Sequence, residues 1–258
     1  MPIAADFLRE IEQLAPAKHA LDYDNVGLIV GDENMPVSSV LVCLDVTDEV
    51  AENIGGDGTL IVSHHPPIFD PLRSIGYNSV IAKLILKNAC VISAHTNFDV
   101  CEHSMNHHLC SLLELSDISP IIPTPSGAMV GLKGSLPAPM SADDFAKHIR
   151  RAISPADMPY AVKYCGSGRI IKTAGVICGS GGSYLDDAAA EKVDALITGD
   201  VKHEAFISAA ARKISLFDAG HYHTERFFSD IVARLLRERF PQVPISAADA
   251  GSCVRFSL

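Results

Sequence analysis

Short apolar strands alternating with amphipathic helices constrain the fold of this chain more than any other feature of its sequence. SSVLVCLDV, TLIVSHH and ACVISAH are apolar runs of strand length; NSVIAKLILKN between the last two carries the helical apolar period, and HSMNHHLCSLLEL follows as a further helix. An opening helix, DFLREIEQLAP, has Pro16 just beyond its end. Strands and helices taken in this order predict a three-layer α/β unit over roughly the first 115 residues.

The same rhythm returns after residue 160. IIKTAGVICG, ALITGD and SLFDAG read as strands, and SYLDDAAAEK, VKHEAFISAAARK and TERFFSDIVARLLRERF as helices. Between the halves, residues 116–160 are rich in Pro, Ser and Gly (SPIIPTPSG, SLPAPMSADD, ISPADMP) and read as a crossover, with one helix, SADDFAKHIRRAI, opened by Ser141. The expected architecture is α/β: two similar three-layer lobes, 1–125 and 126–258, with the C-terminal segment packing back on the first lobe and a metal-binding cleft between them. The halves share a rhythm but no residue-level repeat. At 258 residues the chain can bury a substantial core.

Composition narrows the functional classes. With 21 basic against 31 acidic residues the net charge is −10, which disfavours nucleic acid as a general partner because such binding needs clustered Lys and Arg. No stretch approaches the ~20 apolar residues of a membrane span, and MPIAADFLREIE lacks the basic flank of a signal peptide, so a soluble cytoplasmic protein is expected. Seven scattered cysteines without a CxxC pair read as reduced structural thiols.

In open α/β sheets ligands bind beyond the carboxyl ends of strands, and residues of metal-ligand type gather there: His64 and His65 in SHHPP, Asp99 in SAHTNFD, His221 and Glu225 in AGHYHTE. A lone histidine is most often a surface or hydrogen-bonded core residue. Three imidazoles and two carboxylates together exceed the needs of one catalytic zinc and suit two divalent ions sharing a carboxylate or hydroxide. Adjacent strand residues face opposite ways, so His64 and His65 are expected to address two neighbouring ions, with Asp99 as bridge. His221 and Glu225 are spaced to share one face of a first helical turn, with His223 pointing elsewhere. His95 reads as a group orienting Asp99 or a metal-bound water, and His103, His107 and His108 as an exposed helix face. Imidazole and carboxylate donors without thiolate admit Zn, Mn, Fe, Co or Ni.

Weaker signals surround this set. GSGGS (179–183) either offers backbone amides to a phosphate or is a plain glycine turn. Asp200 in ITGD is a partner of the ligands, a general base, or the cap of the following helix, and Asp45 in LDVT is similarly ambiguous. No nucleophile elbow is present.

SHHPP, HTNFD, TGDVKH and AGHYHTE in this order, with YDNVGLIVGD near the N-terminus, resemble the Nif-three-like family, also named GTP cyclohydrolase I type-two homologues. The resemblance spans residues from about 5 to 250. It implies a two-lobed α/β fold, a dinuclear metal centre whose ligands fall on His64, His65, Asp99, His221 and Glu225, and a toroidal homohexamer. Tyr23 stands where the family usually has tryptophan, and Gly131-Leu132-Lys133-Gly134 replaces a segment that usually carries an arginine.

The function expected is a dinuclear metal-dependent hydrolase acting on a small nucleotide-like substrate, with GTP ring opening suggested by the family name. Glu225 or His95 would move protons, and Lys202, Lys133 and Arg226 would meet phosphate. The alternative is a non-enzymatic metal-binding or metal-delivery protein, or an oligomeric scaffold.

Overall fold

The computed structural model describes residues 1–123, 128–154 and 160–248. Parts of the proline-rich readings SPIIPTPSG and ISPADMP, together with Cys253, lie outside the described residues. In chain order the helices are α1 (Ala4–Leu14), α2 (Asp48–Asn53), α3 (Val80–Leu86), α4 (Thr96–Asp99), α5 (Met105–Leu112), α6 (Ala142–Ile153), α7 (Leu185–Ala190), α8 (His203–Arg212), α9 (His221–Glu225) and α10 (Phe228–Arg239). The strands are β1 (Gly27–Val30), β2 (Ser39–Cys43), β3 (Thr59–Ser63), β4 (Cys90–Ser93), β5 (Ser116–Pro123), β6 (Met129–Met140), β7 (Lys163–Cys165), β8 (Ile171–Val176), β9 (Ala195–Thr198), β10 (Ser215–Asp218) and β11 (Ile245–Ala248).

Two α/β units result, one from Met1–His103 with the segment beginning at Arg226, the other from Ser104–Glu225. The first holds a five-stranded sheet in the order β1-β4-β3-β2-β11. β4, β3, β2 and β11 are parallel and β1 closes one edge antiparallel. Ile61, Val91 and Cys43 share a core with Val50 and Ala51 of α2, Ile54 just beyond it, and Ile81 and Leu84 of α3. The alternate strand residues Val40, Val42, Leu60, Val62 and Ile92 are equally buried. They therefore point to a second covered face, where α10 lies on β2 and β11 and Phe7 of α1 stacks on Phe240 at 4.0 Å. Deep burial on both faces explains why these strands are continuous apolar runs.

The second unit holds six strands in the order β5-β6-β8-β9-β10-β7. β8, β9 and β10 are parallel, with antiparallel strands on either side. Leu196 and Leu216 pack with Leu185 and Ala188 of α7 and Ala209 of α8. Phe217, one residue on, faces the other way and meets Phe145 of α6 edge-on at 5.2 Å. Ser141 caps α6 by accepting from the Asp144 amide at 3.2 Å, as its position before the apolar run predicts.

The units divide at 103/104 and again at 225/226. The proline-rich stretch is not only a crossover, because β5 and β6 pair antiparallel within it. Pro120 lies on β5, the outermost strand, the position in a sheet where proline is best tolerated. β11, following α10, lies beside β2 in the first sheet. Among the described residues no helix is long and apolar enough to cross a membrane.

Candidate metal centre

In the first unit three imidazoles converge at the carboxyl ends of β3 and β4. The amides of His64 and His65 extend the ladder beyond β3, donating to Cys43 O at 3.1 Å and Leu44 O at 3.0 Å, before Pro66 and Pro67 end it. The two rings do not splay apart as strict alternation would have them. Their centroids are 5.0 Å apart at 44°, and His95 lies 5.0 Å from His64 and 5.4 Å from His65. Ligand atoms of all three histidines fall within 4.8 Å of one another. His64 is fully buried, with Nε2 3.8 Å from Asp99 Oδ1 at the end of α4.

Each ring is fixed from behind. His64 Nδ1 donates to the Ala94 carbonyl at 2.9 Å, His65 Nδ1 bonds Asp45 Oδ1 at 2.7 Å, and His95 Nδ1 bonds Asp24 Oδ1 at 2.8 Å. The second oxygen of Asp24 accepts from the Thr96 amide at 3.0 Å and from the Thr96 hydroxyl. Burial works to raise the Asp24 pKa, but bonds from His95 and Thr96 outweigh it and hold the carboxyl at about 2. An acceptor at Nδ1 keeps the proton there and leaves Nε2 as the electron-pair donor, the arrangement found behind metal-bound histidines.

The second unit repeats the device. His221 Nδ1 bonds Asp200 Oδ2 at 2.7 Å, while His221 Nε2 lies 2.9 Å from Glu225 Oε2 across one turn of α9. With the proton on Nδ1, an imidazole lone pair and a buried carboxylate face each other, which is costly unless a cation or second proton joins them. The donor chemistry therefore fits a divalent ion. Asp200 adopts a left-handed backbone, φ 51°, which aspartate tolerates better than most residues. It does not cap α8, whose N-cap is Lys202 without a side-chain bond, and it is instead a hydrogen-bond partner of the His221 ring.

The glycine turn also acquires a role. The Gly179 amide donates to Thr224 Oγ1 at 3.0 Å and the Gly181 amide to Thr198 Oγ1 at 2.6 Å, so these amides are committed within the unit. At φ +71°, Gly179 brings backbone so close to Glu225 that an added Cβ would lie 2.1 Å from Oε1. The turn makes room for the carboxylate. His223 turns away, its ring 4.5 Å from that of Tyr160. Of the expected phosphate contacts, Lys133 pairs with Glu191, Arg226 lies over the Phe227 ring at 4.6 Å, and Lys202 lines a hollow with Asp200, Glu204 and Ser183. Asp24 was not singled out from sequence, although it sits in YDNVGLIVGD; its partner His95 is 71 residues away.

The fold and these side chains define an α/β protein with histidine and carboxylate groups that could hold a metal ion. The chain belongs to the Duf34/NIF3 (NGG1p interacting factor 3) family, which matches residues 3–250. It is 35% identical over 240 residues to a protein of Helicobacter pylori named GTP cyclohydrolase 1 type 2, covering 92% of each chain. It is 34% identical over 203 residues to a Nostoc protein named as a homolog of that enzyme, covering 77% of each. Among solved structures, a Bacillus cereus protein related to NIF3 superposes with a TM-score of 0.89 at 20% identity, covering 100% of this chain and 99% of that one.

Proposed function

We propose that this chain is a metal-dependent hydrolase of a small nucleotide-like substrate, with His64, His65, Asp99, His221 and Glu225 as the ligands of two divalent ions. The observation that carries the reading is the tautomer lock: His64, His65 and His221 each commit Nδ1 to an oxygen acceptor and present Nε2. When bound, two divalent ions lower the pKa of a shared water and polarise the electrophile. Asp45 and Asp200 keep the imidazoles in the ligating tautomer. His95, tied to Asp24, presents Nε2 to take up a proton, and Glu225 combines a ligand's duty with proton transfer. Nitrogen and oxygen donors admit Zn, Mn, Fe, Co or Ni. Burial pushes the thiols of Cys43, Cys101 and Cys110 up to about 12, which keeps these sulfurs out of the chemistry. GTP ring opening is the first reaction to test, because a relative carries that name. A toroidal homohexamer in the cytoplasm completes the proposal, on the strength of the motifs shared with the family.

The test is GTP turnover by protein loaded in turn with each of the five metals, beside Glu225→Gln and His95→Gln. At least one metal should support turnover. Glu225→Gln should lose metal and activity together, whereas His95→Gln should keep metal and lose roughly 100-fold or more in rate. Bound metal with no turnover of GTP or other nucleotides would replace the hydrolase by a metal carrier.

A further inference from the structure

An unbroken series of rings leads outward from the histidine set of the first unit. Phe69 meets His95 edge-on at 6.2 Å, and Tyr23 lies 6.3 Å beyond Phe69 at 58°. Buried phenylalanines of this fold such as Phe7, Phe98 and Phe228 are 0% exposed, whereas Phe69 is 43% and Tyr23 67% exposed. Their backbones are nevertheless tied down. Asn25 donates from Nδ2 to the Ile68 carbonyl at 2.6 Å, and Ile68 packs against the core of the unit. Asp24, between Tyr23 and Asn25, holds both His95 and Thr96. One tripeptide, Tyr23-Asp24-Asn25, thus joins the orientation of His95 to the placement of two solvent-facing aromatic rings.

Anchored aromatic rings left in water beside polar chemistry suit one ligand class well: a flat, π-rich ring that stacks on them irrespective of charge. Charge-independence matters here, because the chain carries −10 overall and attracts anions poorly at long range. From this geometry we infer that Tyr23 and Phe69, tilted 58° to each other, form an aromatic subsite for a planar heteroaromatic ring of nucleobase type, which stacks on one ring and meets the other at its edge next to His95. The inference rests on the proposed reading of the histidine set as the reacting centre, and it adds the part of the substrate that does not react.

The chain contains no tryptophan, so Tyr23→Trp installs a single fluorescent reporter in the subsite. The full-length, metal-loaded variant is titrated with GTP, GMP, AMP, UMP and inorganic tripolyphosphate. Saturable quenching by the nucleotides and none by tripolyphosphate is expected. Phe69→Ala in the same background should weaken nucleotide binding about tenfold, and Phe69→Tyr, which keeps the ring, should retain it; metal content and thermal stability are checked in both. Absence of saturable quenching by every nucleotide would overturn the inference. So would equal affinity in a folded Phe69→Ala protein, or a Tyr23→Ala variant whose only change is its oligomeric state. Quenching without turnover rejects the hydrolase and leaves the subsite, while turnover without quenching does the reverse.

Discussion

Gly179→Ala probes the link between the glycine turn and the carboxylate it accommodates. At φ +71° an alanine costs about 1–2 kcal/mol in backbone strain alone. Its Cβ would stand 2.1 Å from Glu225 Oε1, where real Cβ atoms essentially never approach within 3.0 Å, so the carboxylate must retreat by roughly 1 Å. Glu225 is 3% exposed and its other oxygen is 2.9 Å from His221 Nε2, so the displacement cannot be absorbed in solvent. For a chain of this size the strain corresponds to a fall in Tm of roughly 2–8 °C. Metal affinity should drop at least as far as on losing a supporting partner, roughly 10- to 100-fold. Gly182→Ala is the control: nothing lies within 4 Å of its added Cβ, and its effect should stay within about 0.5 kcal/mol. Differential scanning fluorimetry and metal titration on the three proteins provide the comparison. A Gly179→Ala protein with unchanged Tm and metal affinity would refute the reasoning.

Three further predictions concern groups around the site. Asp45→Ala and Asp200→Ala each remove the acceptor that keeps a proton on Nδ1, so each should weaken metal binding roughly 10- to 100-fold by titration calorimetry while circular dichroism stays unchanged. The Asp24 carboxyl is held at about 2 against an ordinary 3.8. A depressed carboxylate stabilises the fold above its unfolded pKa and loses that contribution as pH falls through the folded value. Unfolding free energies of the metal-free protein from urea titration should therefore decline between about pH 4 and 2 by an amount on the order of 2 kcal/mol; in Asp24→Asn this component should be missing. Cys43, Cys101 and Cys110 are buried, with pKa values pushed up to about 12; at pH 8 they should resist Ellman's reagent until the protein is unfolded, and rapid labelling of any of them would contradict their burial.

Much of the scaffold was legible because burial on both faces makes central strands continuous apolar runs, and β2, β3, β4, β8, β9 and β10 lie within segments read that way. What escaped depends on neighbours distant in sequence. β5 carries prolines that locally signal a loop and becomes a strand only because β6 lies beside it. The helix read across TERFFSDIVARLLRERF is interrupted between Glu225 and Phe228, where neither glycine nor proline marks the break. The ligand-type residues were visible as polar groups ending apolar strands, and the convergence of His64 and His65 was not, since it requires the bend after β3. Asp200 and Asp45 were noticed with their roles undecided, and only the positions of His221 and His65 distinguish partner from cap. Asp24 belonged to a conspicuous motif, but its contact with His95 spans the first unit.

The proposed function requires two divalent ions on the histidines and carboxylates of each chain. Elemental analysis of the purified protein beside a His65→Ala, Glu225→Ala double variant, each verified as folded, tests it most directly. The expected result is about two metal ions per chain in the parent and a large loss in the variant. A parent that binds no metal even after incubation with Zn, Mn, Fe, Co and Ni, or a variant that retains the full complement, would contradict the account.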